Sequence, residues 1–393
     1  MRRMLPATVA VLVLAAVPAR AWGQAAPSAA AAGIAAVLQP FVDNHAMAGA
    51  VTLVADKDKI LNLEAVGYAD IAAKQPMRTD CLFWIASQSK PITAAALMIL
   101  VDEGKLKLDD PVEKYLPEFR GQMVVAEKDK DHVLLRKPRH PITVRNVLSH
   151  TSGLPFKSPI EEPTLDLYPL ALRVRSYAML PLEFEPDTKY SYSNAGINTA
   201  GRLIEVLSGM PYEKFLQQRI FDPLGMNDTT SWPSAAQLQR LAKAYRPVKN
   251  GLEECHIEQL KYPLDDPVRQ PMPAGGLFST AADISIFYRM IAHEGAFAGK
   301  RILSAEAVRQ MTSKQTGDLP NGYGLGIGTS GRCVEHGGAY NTNSRLDRER
   351  GIITVFLGQH AGWGPGGEKI IPTFQNAASE AFAPPKAAAP GKP

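Results

Sequence analysis

Three short stretches of this chain combine side chains that can move a proton with positions at which they can meet. The first is Ser87-Gln88-Ser89-Lys90, set where the apolar run Cys81 to Ile85 gives way to an alanine-rich helical pattern. Residues i and i+3 share one face of a helix, so Ser87 and Lys90 can enter the same cavity. A serine hydroxyl is a weak nucleophile until a neighbour takes its proton. A lysine partly buried beside it loses affinity for its own proton and can act as that base or hold it. The helix N-terminus adds N–H groups that favour negative charge arriving at the serine. Pro91 falls in the first turn, where its missing N–H is harmless. Alone, a Ser-x-x-Lys match is common in long chains and decides nothing.

The second stretch is Tyr192-Ser193-Asn194, on a polar loop just ahead of another helical segment. A phenol near a lysine ammonium ionises more readily and can accept the serine proton. Asn194 offers an amide donor and a carbonyl acceptor for orienting a substrate. An asparagine there can equally be a plain helix cap, and the tyrosine a plain packing residue. The third stretch is His336-Gly337-Gly338-Ala339, between two strand-like runs. Paired glycines let a ligand approach the backbone closely. An edge strand at that point would present free N–H groups to a substrate and to an oxyanion.

In this order the motifs resemble those of the serine β-lactamase and penicillin-binding-protein superfamily, namely Ser-x-x-Lys, Tyr-x-Asn and a glycine-containing triplet. The likeness is to its class C-like branch, which includes the family VIII carboxylesterases and the D-amino-acid peptidases. It extends from about residue 33 to 360, through Leu100 to Val112, His150-Thr151-Ser152-Gly153-Leu154-Pro155, Pro223 to Met226 and Gly275 to Thr280. The resemblance implies that Ser87 is the acylated nucleophile, Lys90 its proton partner and Tyr192 the general base. It places Asn194, His336, Gly337 and Gly338 against the substrate, and gives the oxyanion hole to the backbone N–H groups of Ser87 and Ala339. His336 stands where β-lactamases carry the lysine that anchors a substrate carboxylate. The expectation is therefore hydrolysis of short-chain carboxylic esters or related small acyl compounds. The alternatives are a D-Ala-D-Ala carboxypeptidase or D-aminopeptidase, a class C-like β-lactamase and, more remotely, a non-catalytic ligand sensor. The partner is a small ester, amide or peptide. His150 and Ser152 are too close in sequence to build a triad and read as a structural turn. No G-x-S-x-G elbow occurs, which argues against an α/β-hydrolase.

These residues need a scaffold, and the patterning outlines one. Ala50 to Val54 and Ile60 to Val66 flank a charged turn at Asp56-Lys57-Asp58 and read as paired strands. Near the other end, Tyr323 to Gly328, Arg332 to His336, Asn343 to Leu346 and Ile352 to Leu357 are short and β-rich. Between them, helices are expected over Ile92 to Asp102, from Thr143 through Leu148, over Ala195 to Leu207 and from Thr280 through Met290. The fold class that follows is α+β, of the β-lactamase/transpeptidase type. One antiparallel sheet is built from both chain ends and flanked by helices, with a mainly helical lobe from the middle.

Residues 1–21 carry Arg2 and Arg3, an apolar run from Ala7 to Val17 and the small-x-small pattern Ala19-Arg20-Ala21. They read as a cleaved export signal, with an apolar run shorter than the roughly 20 residues a membrane span needs. The expected plan is this signal, a linker over 22–32, one domain over 33–382 and a disordered tail over 383–393. The product would be exported to the periplasm or the medium. At 45% hydrophobic and 21% charged residues, with a net charge of +4, the chain has no electrostatic footprint for nucleic acid. Lys128 to Arg139 mixes both charges and reads as a solvated loop. No metal-ligand spacing occurs among the three cysteines or the eight histidines, so neither metal nor other cofactor is expected. Cys81 lies in an apolar run and reads as a buried free thiol.

Overall fold

The structure is a computed structural model describing residues 33–382; the export signal, linker and tail expected from the sequence lie outside the described residues. Its centre is a seven-stranded sheet of both chain ends: β1 (Gly49–Ala55), β2 (Ile60–Asp70), β3 (Gln75–Pro76), β4 (Gly328–Thr329), β5 (Cys333–Gly338), β6 (Thr342–Asp347) and β7 (Ile352–Leu357). The spatial order is β4-β5-β6-β7-β1-β2-β3, and the pairings are antiparallel. The two ends meet where β1 pairs β7, with Leu53 opposite Val355.

Both central strands are buried along their whole length, because the sheet is covered on each face. Successive side chains of a strand point to opposite faces, and the packing follows that alternation. Ala50 and Val54 join a cluster with Ile34, Leu38 and Val42 of α1 (Ile34–Asp43) and Phe374 of the C-terminal helix, Ile370–Phe382. Val51, Leu53 and Ala55 face the helical lobe instead. There α2 (Ser89–Asp102) is buried on all sides from Ser89 to Leu100. This explains its alanine-rich, weakly amphipathic sequence: a helix surrounded by protein has no polar face to present.

The remaining helices of the site are α3 (Val144–Ser149), α4 (Leu170–Ala178) and α5 (Asn194–Ser208). Thr143 caps α3, accepting the Asn146 N–H while Asn146 returns a bond to the Thr143 N–H. Ser193 caps α5 through the Gly196 N–H, and Gly209 closes it in the left-handed conformation at φ 70°.

Two segments differ from their sequence pattern. Tyr323 to Ile327 is an irregular loop rather than a strand, joined to the first residue of β4 by a single bridge from Tyr323 to Gly328. Gly326 has φ 66° and is pressed against α2, where an added Cβ would lie 2.8 Å from the Lys90 carbonyl. Within the charged stretch read as a loop, Val133–Arg136 pairs with Val124–Lys128 as an exposed hairpin. The three cysteines are free, with Cys81 and Cys333 buried.

Candidate active site

Ser87 lies in a one-turn 3₁₀ helix, Ala86–Gln88, that runs into α2. That turn is tied to the sheet. Ile85 accepts the Thr342 hydroxyl at 3.3 Å, and Gln88 holds the Ser344 hydroxyl. Gly338 passes so close that a Cβ there would lie 2.4 Å from the Ile85 carbonyl, so only glycine lets β5 approach the nucleophile. Ala86 adopts φ 46°, a left-handed backbone that costs an alanine about 1–2 kcal/mol. Strain of this kind immediately before a reactive residue is held in place by the packing around it. Neither the Ser87 nor the Ala339 N–H donates to a turn, loop or side-chain acceptor among the described residues, which leaves both available to an oxyanion.

Lys90 is fully buried. Its Nζ lies 3.0 Å from Ser87 Oγ, 2.8 Å from Asn194 Oδ1 and 2.7 Å from the Ala274 carbonyl oxygen. All three partners are neutral, so burial without a counter-ion drives the lysine well below its ordinary range. A neutral amine in this position donates its two hydrogens to Asn194 and Ala274, which turns its lone pair toward Ser87. The Tyr192 ring stands with its centroid 4.7 Å from Nζ. Burial pushes the Tyr192 phenol above its ordinary range, opposed by a hydrogen bond with Ser87. This reverses the sequence expectation that the lysine would make the phenol easier to ionise. At rest Tyr192 is a neutral phenol, and of the two groups Lys90 is the one whose basic form burial favours.

The sequence motif left out the aromatic surround. His150 ends α3 in the left-handed conformation at φ 62°. Its Nδ1 accepts the Ser193 N–H at 3.1 Å, which fixes the loop bearing Tyr192. The His150 ring lies 4.5 Å from that of Tyr192 and 4.6 Å from that of Tyr323. Burial, with Lys90 and His336 nearby, keeps His150 neutral. The segment is the structural turn its sequence suggested, and it also holds the phenol. Tyr190 packs against the same ring, and burial pushes its phenol up to about 12. Phe156 stacks on the outer side of Tyr192 and is half exposed.

His336 occupies the wall of this cluster rather than its mouth. It is nearly buried, its Nε2 is 3.0 Å from the Tyr323 hydroxyl and its Nδ1 is 2.7 Å from the Gly337 carbonyl. A carbonyl can only accept, so Nδ1 carries the proton and Nε2 accepts from Tyr323. Burial holds the imidazole down to about 3. A ring held in this way does not gain charge in mildly acidic solution to meet a carboxylate. Both ring nitrogens have protein partners, and protonation is opposed. Gly337 is roomier, with the nearest atom to an added Cβ at 3.4 Å. Together the groups set a serine against a buried lysine whose proton affinity is lowered, beside a phenol and two backbone N–H groups, in an aromatic cleft. Such a site can form and resolve an acyl-enzyme. No group of three or more potential metal ligands occurs among the described residues.

Comparison with known proteins agrees with this geometry. The Beta-lactamase family model matches residues 34–373. Protein Rv1367c of Mycobacterium tuberculosis is 31% identical over 368 residues, covering 83% of this chain and 89% of that protein. Esterase EstB of Burkholderia gladioli is 28% identical over 381 residues, 87% of this chain and 93% of its own. The solved structure of EstCE1, a hydrolase with promiscuous acyltransferase activity, superimposes with a TM-score of 0.72 at 23% identity, covering 88% of this chain and 97% of that one. The chain belongs to the serine β-lactamase and penicillin-binding-protein superfamily, and is a serine hydrolase of that fold.

Proposed function

We propose that the protein hydrolyses short-chain, uncharged carboxylic esters through an acyl-enzyme on Ser87. Lys90 takes the Ser87 proton, the neutral Tyr192 phenol gives its proton to the leaving alkoxide and regains one from the Lys90 ammonium, and Asn194 holds both Lys90 and the acyl group. Water, giving its proton to Lys90, then attacks the acyl carbon and releases the acid, and that proton returns to Ser87 Oγ. The N–H groups of Ser87 and Ala339 stabilise the oxyanion. The observation that carries the choice of ester is the state of His336. A penicillin, a cephalosporin and a D-Ala-D-Ala terminus each bring a carboxylate, whereas this ring is neutral and engaged by Tyr323 and Gly337. A small ester needs no such anchor, and the esterase EstB shares most of the chain's length.

The test is a parallel panel of p-nitrophenyl esters, D-amino-acid amides, D-Ala-D-Ala peptides and nitrocefin, with fluorophosphonate labelling mapped by mass spectrometry. Ester turnover should lead the panel and the label should fall on Ser87. An adduct on Ser152 or Ser193, or nitrocefin turnover with negligible ester activity, refutes the proposal. We also propose that the enzyme acts outside the cytoplasm, with a mature N-terminus near residue 22. N-terminal sequencing of the secreted product checks this, and an intact Met1 contradicts it.

A further inference from the structure

The two hydrogens of a neutral Lys90 need fixed acceptors if its lone pair is to stay on Ser87. Asn194 Oδ1 is one. The other is the Ala274 carbonyl, a backbone group whose direction depends on the peptide units around it. The unit joining Pro273 to Ala274 is held at both ends. Its carbonyl accepts the Thr93 hydroxyl at 2.7 Å, and its N–H donates to Asn198 Oδ1 at 3.1 Å. The two units that follow continue the constraint: the Gly275 N–H, in the same unit as the Ala274 carbonyl, donates to the Met272 carbonyl at 2.9 Å, and the Gly275 carbonyl in the unit after it accepts Trp84 Nε1 at 2.7 Å.

Thr93 lies one turn beyond Lys90 on α2, and Asn198 one turn beyond Asn194 on α5. Each helix thus sends one residue to the lysine and a second to the peptide unit behind it. Both clamps are fully buried and are themselves held. The Tyr212 hydroxyl lies 2.6 Å from Thr93 Oγ1. Asn198 Nδ2 donates to the Tyr177 hydroxyl at 3.0 Å, and Tyr177 donates to Glu161 at 2.7 Å. Arg173 of α4 lies 3.8 Å from Glu161, with both side chains out of solvent.

We propose that Thr93 and Asn198 are positioning residues that aim the Ala274 carbonyl at Lys90 and so keep the lysine lone pair on Ser87. This rests on the acyl-enzyme reading of Ser87 and Lys90. Neither residue reaches substrate; each acts through the Pro273–Ala274 peptide. An acceptor on Nζ favours the ammonium, so turning the Ala274 carbonyl away lowers the lysine's affinity for its proton and also frees the amine to rotate. The groups facing Lys90 are Tyr192, His150 and His336. Tyr212 backs Thr93, and Tyr177, Glu161 and Arg173 back Asn198.

The experiment compares Thr93→Val, which keeps the shape and removes the hydroxyl, with Thr93→Ser, which restores it. Asn198→Leu is the matching variant on α5. The readouts are kcat and KM for a short p-nitrophenyl ester across pH, fluorophosphonate inactivation rates and thermal melting. Thr93→Val and Asn198→Leu should lower kcat about 10-fold or more with KM nearly unchanged. The acid limb of the rate profile should move to lower pH by about one unit, and Thr93→Ser should return both toward wild type. If either large change unfolds the protein, Tyr212→Phe, which releases the Thr93 hydroxyl, should give a smaller shift of the same sign. Profiles that superimpose on wild type, with rates reduced only by the unfolded fraction, overturn the proposal and leave Thr93 and Asn198 as structural residues. Turnover that survives Ser87→Ala overturns the acyl-enzyme reading instead, so the two failures are separable.

Discussion

The Tyr323 hydroxyl stands 3.0 Å from Nε2 of His336, while Nδ1 of the same ring meets the Gly337 carbonyl at 2.7 Å. The ring is thereby fixed as a neutral tautomer, and it has company. Burial holds His336 and His360 down to about 3 and lowers His150 as well, all from an ordinary value of 6.5. Between about 6.5 and about 3 the unfolded chain binds protons that the folded chain refuses. Their stabilising contribution is therefore present above 6.5 and is lost as pH falls toward 3. Asp283, raised by burial to about 6, works in the opposite sense over part of this range, as one group against three. The melting temperature should fall by about 5 °C or more between pH 7 and pH 4. Calorimetry showing a constant or rising midpoint over that interval would contradict the assignment.

Lys90 and Tyr192 should be separable from the fold. Lys90→Ala and Tyr192→Phe should each reduce kcat about 100-fold or more, because each removes a proton-transfer group. Tyr192→Phe should melt within a few degrees of wild type, since it deletes one hydroxyl and no packing volume. The ester rate should climb as pH rises through the lowered lysine range and then level off, because the amine is the active form. Should Tyr192→Phe keep most activity while melting early, the tyrosine is only a packing residue.

His150 carries a prediction that its sequence context did not suggest. It needs a left-handed backbone and a side-chain acceptor for the Ser193 N–H, and asparagine tolerates the first and supplies the second. His150→Asn should retain most of kcat, whereas His150→Leu should lose about 10-fold or more with little change in KM. Equal activity in the two variants would show that the bond to Ser193 does not govern the Tyr192 loop.

The fold was legible because its signals are local. The apolar, β-rich run Ala50 to Val54, the caps at Thr143 and Thr280 and the glycine after α5 are each set by a few neighbouring residues. Tyr323 to Gly328 misled because its β-rich composition is overridden by Gly326, whose close approach to α2 is a tertiary fact. In the site, Ser87, Lys90, Tyr192 and Asn194 were singled out by the resemblance of their ordered motifs to those of the family, since no one motif's spacing decides. The Ala274 carbonyl had no such signal, being a backbone atom, and Asn198 reaches the N–H of the same residue across 76 positions of sequence. His336 was identified by position, but its charge state depends on burial and on Tyr323, which no motif records.

Selectivity is the sharpest consequence of the His336 environment. With the ring neutral, a carboxylate in the cleft forgoes a charge-assisted hydrogen bond of about 1.5–3 kcal/mol, roughly ten- to a hundred-fold in affinity. Short uncharged esters lose nothing, so their kcat/KM should exceed that for nitrocefin by orders of magnitude. Because His336 is held down to about 3, nitrocefin turnover should show no rise below pH 6.5. His336→Lys tests the same point by gain. The new ammonium is disfavoured where the ring sits, beside Lys90, but a lysine stem is long enough to carry its charge toward the open side at Gly337. This variant should melt earlier than wild type and lose ester activity modestly. It should improve nitrocefin kcat/KM about ten-fold or more relative to the ester. A variant that folds, keeps ester activity and gains nothing on nitrocefin would show that a missing cation at this position does not set the preference.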